Sequence, residues 1–217
     1  MTDSCETQQA PVPSYFRSNL SQYEGMTAHA GLYREIQLPK YAKSPSGKKI
    51  PKGFRTINAP TKELKSLQSE LMSALEAHGV GVHPAAHAYR RSRGICTMAK
   101  HHVGKKHVIR LDLKDFFSSV TVDMVFRALP PTLPQKLFNM IRDWCFLDGV
   151  LPQGAPSSPL LSNIALFHLD MDMQRLADSW RYMGVAKRGS YPANLARMQP
   201  IAYTRYCDDL VFSSGAA

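Results

Sequence analysis

The chain has 217 residues, enough for one good core or two small lobes sharing one. Its hydrophobic fraction of 44% is that of an ordinary globular protein. No apolar run approaches the roughly 20 residues that cross a bilayer. The polar, acid-containing N-terminus MTDSCETQQAPVPSYF does not read as a secretory signal, so a cytoplasmic location is expected and no membrane partner.

Lys and Arg number 27 against 17 Asp and Glu, for a net charge of +10. Such an excess favours phosphate-rich partners, because each neutralised phosphate releases condensed counterions. The basic residues are also clustered. Lys43, Lys48, Lys49, Lys52 and Arg55 form one group; Arg90, Arg91, Arg93, Lys100, Lys105 and Lys106 form another, and the next acidic residue is Asp112. Cys5, Cys96, Cys145 and Cys207 are far apart without a CxxC pair, which argues against a zinc ribbon and a disulfide framework. His101, His102 and His107 have no Cys or acidic neighbour at metal spacing and read as polar surface or phosphate-facing groups.

In chain order, residues 1–13 read as a frayed, disordered N-terminus, with Pro11 and Pro13. Weak helical patterning runs from Ser14 to about Leu38, and 43–60 reads as a two-stranded excursion punctuated by Gly47 and Gly53. Leu64, Leu67, Leu71 and Leu75 mark one face of a helix that Thr61 caps and Gly79 ends. A strand is expected over His107–Leu113, a short helix from a Thr121 cap to near Pro130, and another over Pro134–Leu147. After the loop LPQGAPSSP a longer helix is expected from Leu160 to Trp180, then a loop over 184–200. Ile201–Tyr206 and Leu210–Ser213 form a hairpin around Cys207-Asp208.

Three segments carry chemistry. In YTRYCDDLVFSS, Asp208 and Asp209 sit at a tight turn between apolar strands, where like charges resist joint ionisation and a divalent cation would relieve them. A solvated Asp-Asp turn is the plainer reading of that hairpin alone. In HVIRLDLKDFFSSV, Asp112 ends an apolar strand with Phe117 five positions on, so Asp112 and Asp208 could share cations if the strands are neighbours. Asp115 is the competing carboxylate, better suited to the sheet's other side or the helix start. In LPQGAPSSPLLSNIALFHLD, Gly154 permits close backbone approach, Gln153 can hydrogen-bond a base or sugar, and Ser157 or Ser158 can begin the following helix.

RLDLKDFFSSV, LPQGAPSSPLLSNIAL and YTRYCDDLVFSS, in that order, resemble three successive motifs of reverse transcriptases, most nearly those of bacterial retrons and group II introns. The upstream GFRTINAPTKELKSLQSELMSAL resembles their fingers segment, so the likeness covers roughly residues 48–214. The resemblance implies an α+β, right-hand polymerase fold: fingers over 14–106 and, over 107–217, an antiparallel palm sheet backed by helices, together one reverse transcriptase domain. It implies Asp112, Asp208 and Asp209 as catalytic, metal-holding aspartates for two Mg²⁺ ions, with Mn²⁺ a substitute. Phe117 matches the residue that excludes a ribose 2′-hydroxyl, Gln153 and Gly154 the nucleotide-pocket loop, and Arg55 the arginine that meets the triphosphate, with Lys48, Lys49 and Lys52 as lesser helpers.

The activity so implied is RNA-directed DNA synthesis from dNTPs on an RNA template and DNA primer. A retron-like enzyme would copy a cognate non-coding RNA, work with an effector protein and serve antiphage defence. Retron enzymes resemble one another in an Asn-Ala-x-x-His string; here Met98-Ala99-Lys100-His101-His102 keeps Ala99 and His102 but has Met98 for Asn, and Cys207 stands where many relatives carry Ala. The family continues past the aspartate hairpin into more palm and a thumb, so a thumbless fragment, or one completed elsewhere, is expected. The alternatives are a catalytically weak RNA-binding module and protein-primed or untemplated DNA synthesis.

Overall fold

The computed structural model describes residues 27–28, 30–44, 46–186 and 201–216. The expected frayed segment 1–13, the start of the helical patterning before residue 27 and most of the 184–200 loop lie outside the described residues.

Helix α1 (Lys62–Ala77) forms for the reasons its sequence suggests. The Thr61 hydroxyl accepts from the Leu64 amide, and Gly79, at φ 70, takes the left-handed conformation that ends the helix. Leu64, Leu67, Leu71 and Leu75 are all buried. After the short helix α2 (Ile95–Ala99), helices α3 (Val122–Ala128), α4 (Gln135–Cys145) and α5 (Ser158–Ala165) turn apolar faces to these leucines through Val125, Leu137, Ile141, Leu161 and Ile164. Thr121 caps α3 by accepting from the Met124 amide. Within this apolar mass Gln68 is fully buried, and its amide nitrogen donates to the Trp144 carbonyl (2.7 Å) and the Tyr33 hydroxyl (3.1 Å), tying α1 to α4 and to the first strand.

Two antiparallel sheets flank these helices. β1 (Tyr33–Lys43) and β2 (Lys49–Pro60) form a hairpin exposed over most of its length. The two-stranded excursion expected over 43–60 is corrected: that segment holds the turn and β2, with Gly53 inside the strand, and the pairing strand β1 begins upstream at Tyr33, which also corrects the helical patterning of 14–38 over 33–38. The eleven-residue pairing with β2 outweighs the weak helical spacing, and both strands are edges, where Pro39 costs no ladder bond. The second sheet has the order β3-β5-β4, with β3 (Lys105–Asp112), β4 (Ala202–Tyr206) and β5 (Asp209–Ala216) all antiparallel. A smaller core of Ala85, Ala177, Tyr203 and Leu210 joins this sheet to α6 (Phe167–Ala186).

The helix expected over 160–180 is two helices: α5 ends at Ala165, with Leu166 as its C-cap, and α6 begins at Phe167 and runs to Ala186, past the expected start of the loop at 184. No glycine or proline marks that joint. The fold is α+β, with an antiparallel sheet backed by helices, as expected. No helix among the described residues is long and apolar enough to cross a membrane.

Candidate active site

The last ladder pair between β4 and β5 is Tyr206 with Asp209, which leaves Cys207-Asp208 as a two-residue turn. Cys207 sits at φ 56, a conformation that tight hairpins demand of their first central residue and that side chains other than Gly resist. On the other side of β5, Asp112 is the register partner of Asp209, and the Leu113 amide donates to the Asp208 carbonyl at 2.9 Å. The aspartate turn is therefore bonded to the end of the strand that carries Asp112.

The carboxylates feel one another. Burial raises the Asp208 carboxyl above its ordinary range, and the charges of Asp112 and Asp209 raise it further, while Arg110 opposes them. Asp209 itself is taken by Arg110, whose Nε donates to its Oδ1 at 2.7 Å.

Asp112 and Asp208 open into a cleft of about 890 Å³. Lys40, Lys52 and Arg55 of the hairpin border it, as do Phe117, Gln153 and Tyr89. Phe117 starts a single 3₁₀ turn (Phe117–Ser119) and lies 5.0 Å from Phe116 and 6.5 Å from Tyr89 between ring centroids. Asp115 also borders the cleft. Its main chain, at φ 50, begins that turn by accepting from the Ser119 amide and the Ser118 and Ser119 hydroxyls, which agrees with the helix-start reading. Among the sequence candidates, Asp112, Asp208, Arg55, Phe117, Gln153 and Lys52 are brought together. Asp209, Gly154, Lys48 and Lys49 do not border the cleft.

Gly154 acts behind it. At φ 116 it lies so close to β2 that an added Cβ would stand 2.6 Å from Ile57 Cγ2 and 3.1 Å from the Asn58 carbonyl oxygen. Next to it the Gln153 carbonyl accepts from the Asn58 amide at 2.7 Å, pinning the loop to the hairpin that carries Arg55. Gly154→Ala adds both a strained φ and a clash, and is expected to lower stability by about 1–3 kcal/mol in urea unfolding. A midpoint equal to the wild type would show that the two segments part easily. Of the serines, Ser157 precedes α5 without a side-chain cap, and the Ser158 hydroxyl donates to the Pro152 carbonyl at 2.7 Å.

Tyr89, Asp170 and Arg205 gave no signal in the sequence, whereas His102 did and is placed differently by the fold. Tyr89, at φ 57, borders the cleft with Cys207; burial first, then the influence of Cys207 and of the Asp208 charge, hold its hydroxyl in the protonated form. His102 is no surface group: its ring nitrogens pair with the Ser213 and Thr204 hydroxyls, each at 2.7 Å, stapling the segment before β3 to β4 and β5. His101 and His107 are exposed. Beneath the turn, fully buried Arg205 pairs with fully buried Asp170 at 2.7 Å.

Oxygen-only donors such as Asp112 and Asp208 suit a hard divalent cation, and two carboxylates suffice for Mg²⁺ when substrate phosphates and waters complete its shell. Their shared cleft and the raised Asp208 carboxyl fit that role. Among the described residues no group of three or more His, Cys, Asp or Glu forms a metal cage, consistent with Asp209 being bound to Arg110.

A family model described as "Reverse transcriptase (RNA-dependent DNA polymerase)" matches residues 42–216. The chain belongs to that family. Curated relatives include the retron Ec83 reverse transcriptase of Escherichia coli, 31% identical over 180 residues, covering 76% of this chain and 51% of the relative. The retron Mx65 reverse transcriptase of Myxococcus xanthus is 34% identical over 208 residues, covering 87% and 44%. The retron Ec86 reverse transcriptase of E. coli is 32% identical over 164 residues, covering 75% and 45%. The chain spans about half the length of these curated relatives.

Proposed function

We propose that this chain forms the nucleotide-addition centre of an RNA-directed DNA polymerase of the retron type, with fingers over 14–106 and palm over 107–217. The observation that carries this reading is the joining of Asp112 and the Asp208 turn across β3 and β5, at a cleft bordered by Arg55, Phe117 and Gln153. Asp112, Asp208 and Asp209 are the catalytic set, with Asp112 and Asp208 facing the cleft and Asp209 held beside them by Arg110. Two Mg²⁺ ions, when bound, would lower the pKa of a primer 3′-hydroxyl and neutralise charge on the departing pyrophosphate.

The chain's own residues do the rest. Arg55, exposed on β2 with no acidic partner among the described residues, offers its guanidinium fork to the triphosphate, and Lys52 and Lys40 add positive charge. Gln153 offers an amide to the base or sugar. Phe117 walls off the space a 2′-hydroxyl would occupy, so Phe117→Ala is expected to raise ribonucleotide use on the order of 100-fold relative to dNTPs. Single-nucleotide incorporation with each triphosphate measures this, and an unchanged preference removes Phe117 as the gate.

The template is proposed to be a cognate structured RNA, copied by extension of a DNA primer, and an effector protein and a role in antiphage defence are proposed with it on the resemblance of the motifs to retron enzymes. Primer extension on an RNA template with dNTPs and Mg²⁺ tests the central reading. Extension lost on Asp208→Ala supports it. RNA binding without extension, indifferent to Asp208→Ala, would leave an RNA-binding module instead, and products made without template would point to untemplated synthesis.

A further inference from the structure

Arg205 lies in β4, one residue before Tyr206 of the aspartate hairpin, and its side chain is wholly buried. Its Nε and Nη2 form a two-pronged pair with Asp170 of α6, at 2.8 and 2.7 Å. That pairing meets the electrostatic need of a buried guanidinium, yet the third nitrogen does further work. Nη1 donates to the Cys207 carbonyl at 3.0 Å and to Asn163 Oδ1 of α5 at 3.1 Å. The first bond holds the peptide that leads directly into Asp208. The second orients Asn163, whose amide nitrogen donates to the Ala88 carbonyl at 3.0 Å, just before Tyr89.

The main chain of Arg205 binds the same segment. Its amide donates to the Ala85 carbonyl and its carbonyl accepts from the His87 amide, both at 2.8 Å. Two non-glycine residues at positive φ, Cys207 and Tyr89, thus sit on either side of one buried cation, and both belong to the cleft. Strained backbone persists only where its surroundings over-determine it. Fixed hydrogen bonds from a rigid, charged fork supply that constraint.

We propose that Arg205, held by Asp170 and Asn163, is a positioning residue that fixes the Asp208 turn and the Tyr89 wall relative to one another. It touches no substrate; it acts through the Cys207 and Ala88 carbonyls. The proposal rests on the polymerase reading for its kinetic arm alone.

Two variants of the full chain separate positioning from mere stability. Arg205→Lys keeps a buried cation for Asp170 but lacks the fork that reaches Cys207 and Asn163. Asp170→Asn with Arg205→Met removes both charges together, retains an acceptor for the Tyr203 hydroxyl, and leaves no buried ion alone. In either variant, at temperatures where circular dichroism shows it folded, kcat for dNTP addition is expected to fall about 10- to 100-fold, with a smaller change in KM for primer-template. Independently of activity, alkylation of Cys207 by iodoacetamide, followed by mass spectrometry of its peptide, is expected to accelerate at least about tenfold, because the released turn frees a half-buried thiol.

A folded charge-free double variant with wild-type kcat and wild-type Cys207 alkylation overturns the proposal. Should the wild type add no nucleotide, the polymerase reading fails, and the alkylation rates alone decide whether Arg205 holds the turn.

Discussion

Asp208→Asn is expected to abolish nucleotide addition while making the protein more stable at neutral pH. The loss of rate should be on the order of 1000-fold or more, because an amide cannot replace a charged oxygen ligand where several kcal/mol of transition-state stabilisation depend on it. The gain in stability follows from the raised carboxyl. Burial, with Asp112 and Asp209 nearby, makes the native state bind the Asp208 proton more readily than the unfolded chain does. Folding is then favoured by proton uptake as pH falls through the window between the ordinary carboxylate value and the raised one. Above that window the ionised group opposes folding. Asn carries no such charge, so the variant's advantage should be largest near neutral pH and shrink on acidification. Thermal melts with a chelator present, across that range, measure it. A melting temperature below the wild type at every pH would show that the Asp208 carboxylate is stabilising as it stands.

The largest expected effect on stability is elsewhere, in Asp170→Ala. This strips the partner from Arg205 where both side chains are inaccessible to solvent and leaves a buried guanidinium uncompensated, at a cost of about 3–5 kcal/mol. The Tyr203 hydroxyl, which donates to Asp170 at 2.6 Å, is orphaned as well. Among the described residues α6 meets the sheet through a small core of Ala85, Ala177, Tyr203 and Leu210, so the ion pair carries much of the contact between them. Chemical denaturation should register the full penalty, and Asp170→Asn a smaller one. A change below 1 kcal/mol, roughly the value of an exposed ion pair, would mean that water reaches Arg205.

How much of this was legible beforehand varies from residue to residue. The α1 helix could be read with its cap and its stop because leucines at helical spacing, a threonine and a glycine are local signals. The aspartate hairpin was equally plain, since two apolar strands flank Cys207-Asp208. β1 was not, because its partner lies beyond a turn and its own pattern leans weakly helical. The joint at Leu166 left no mark either; one long apolar pattern serves two successive helices.

Within the site, the chain by itself determined the chemistry: two carboxylate segments, an aromatic at Phe117, the Gln153–Gly154 loop and an arginine at Arg55, all in an order that named a family. Only the tertiary structure decided how they are used. Antiparallel register set Asp112 against Asp209 and left Asp208 at the turn. Arg110 then took the Asp209 carboxylate, a pairing that joins side chains 99 positions apart. Gly154 proved to matter through its approach to Ile57 and Asn58. Tyr89, Asn163, Asp170 and Arg205 came together from four separate segments. Hydrogen bonds and ion pairs of that kind depend on distances in space, and spacing along the chain carries no trace of them until the sheet and helices have packed.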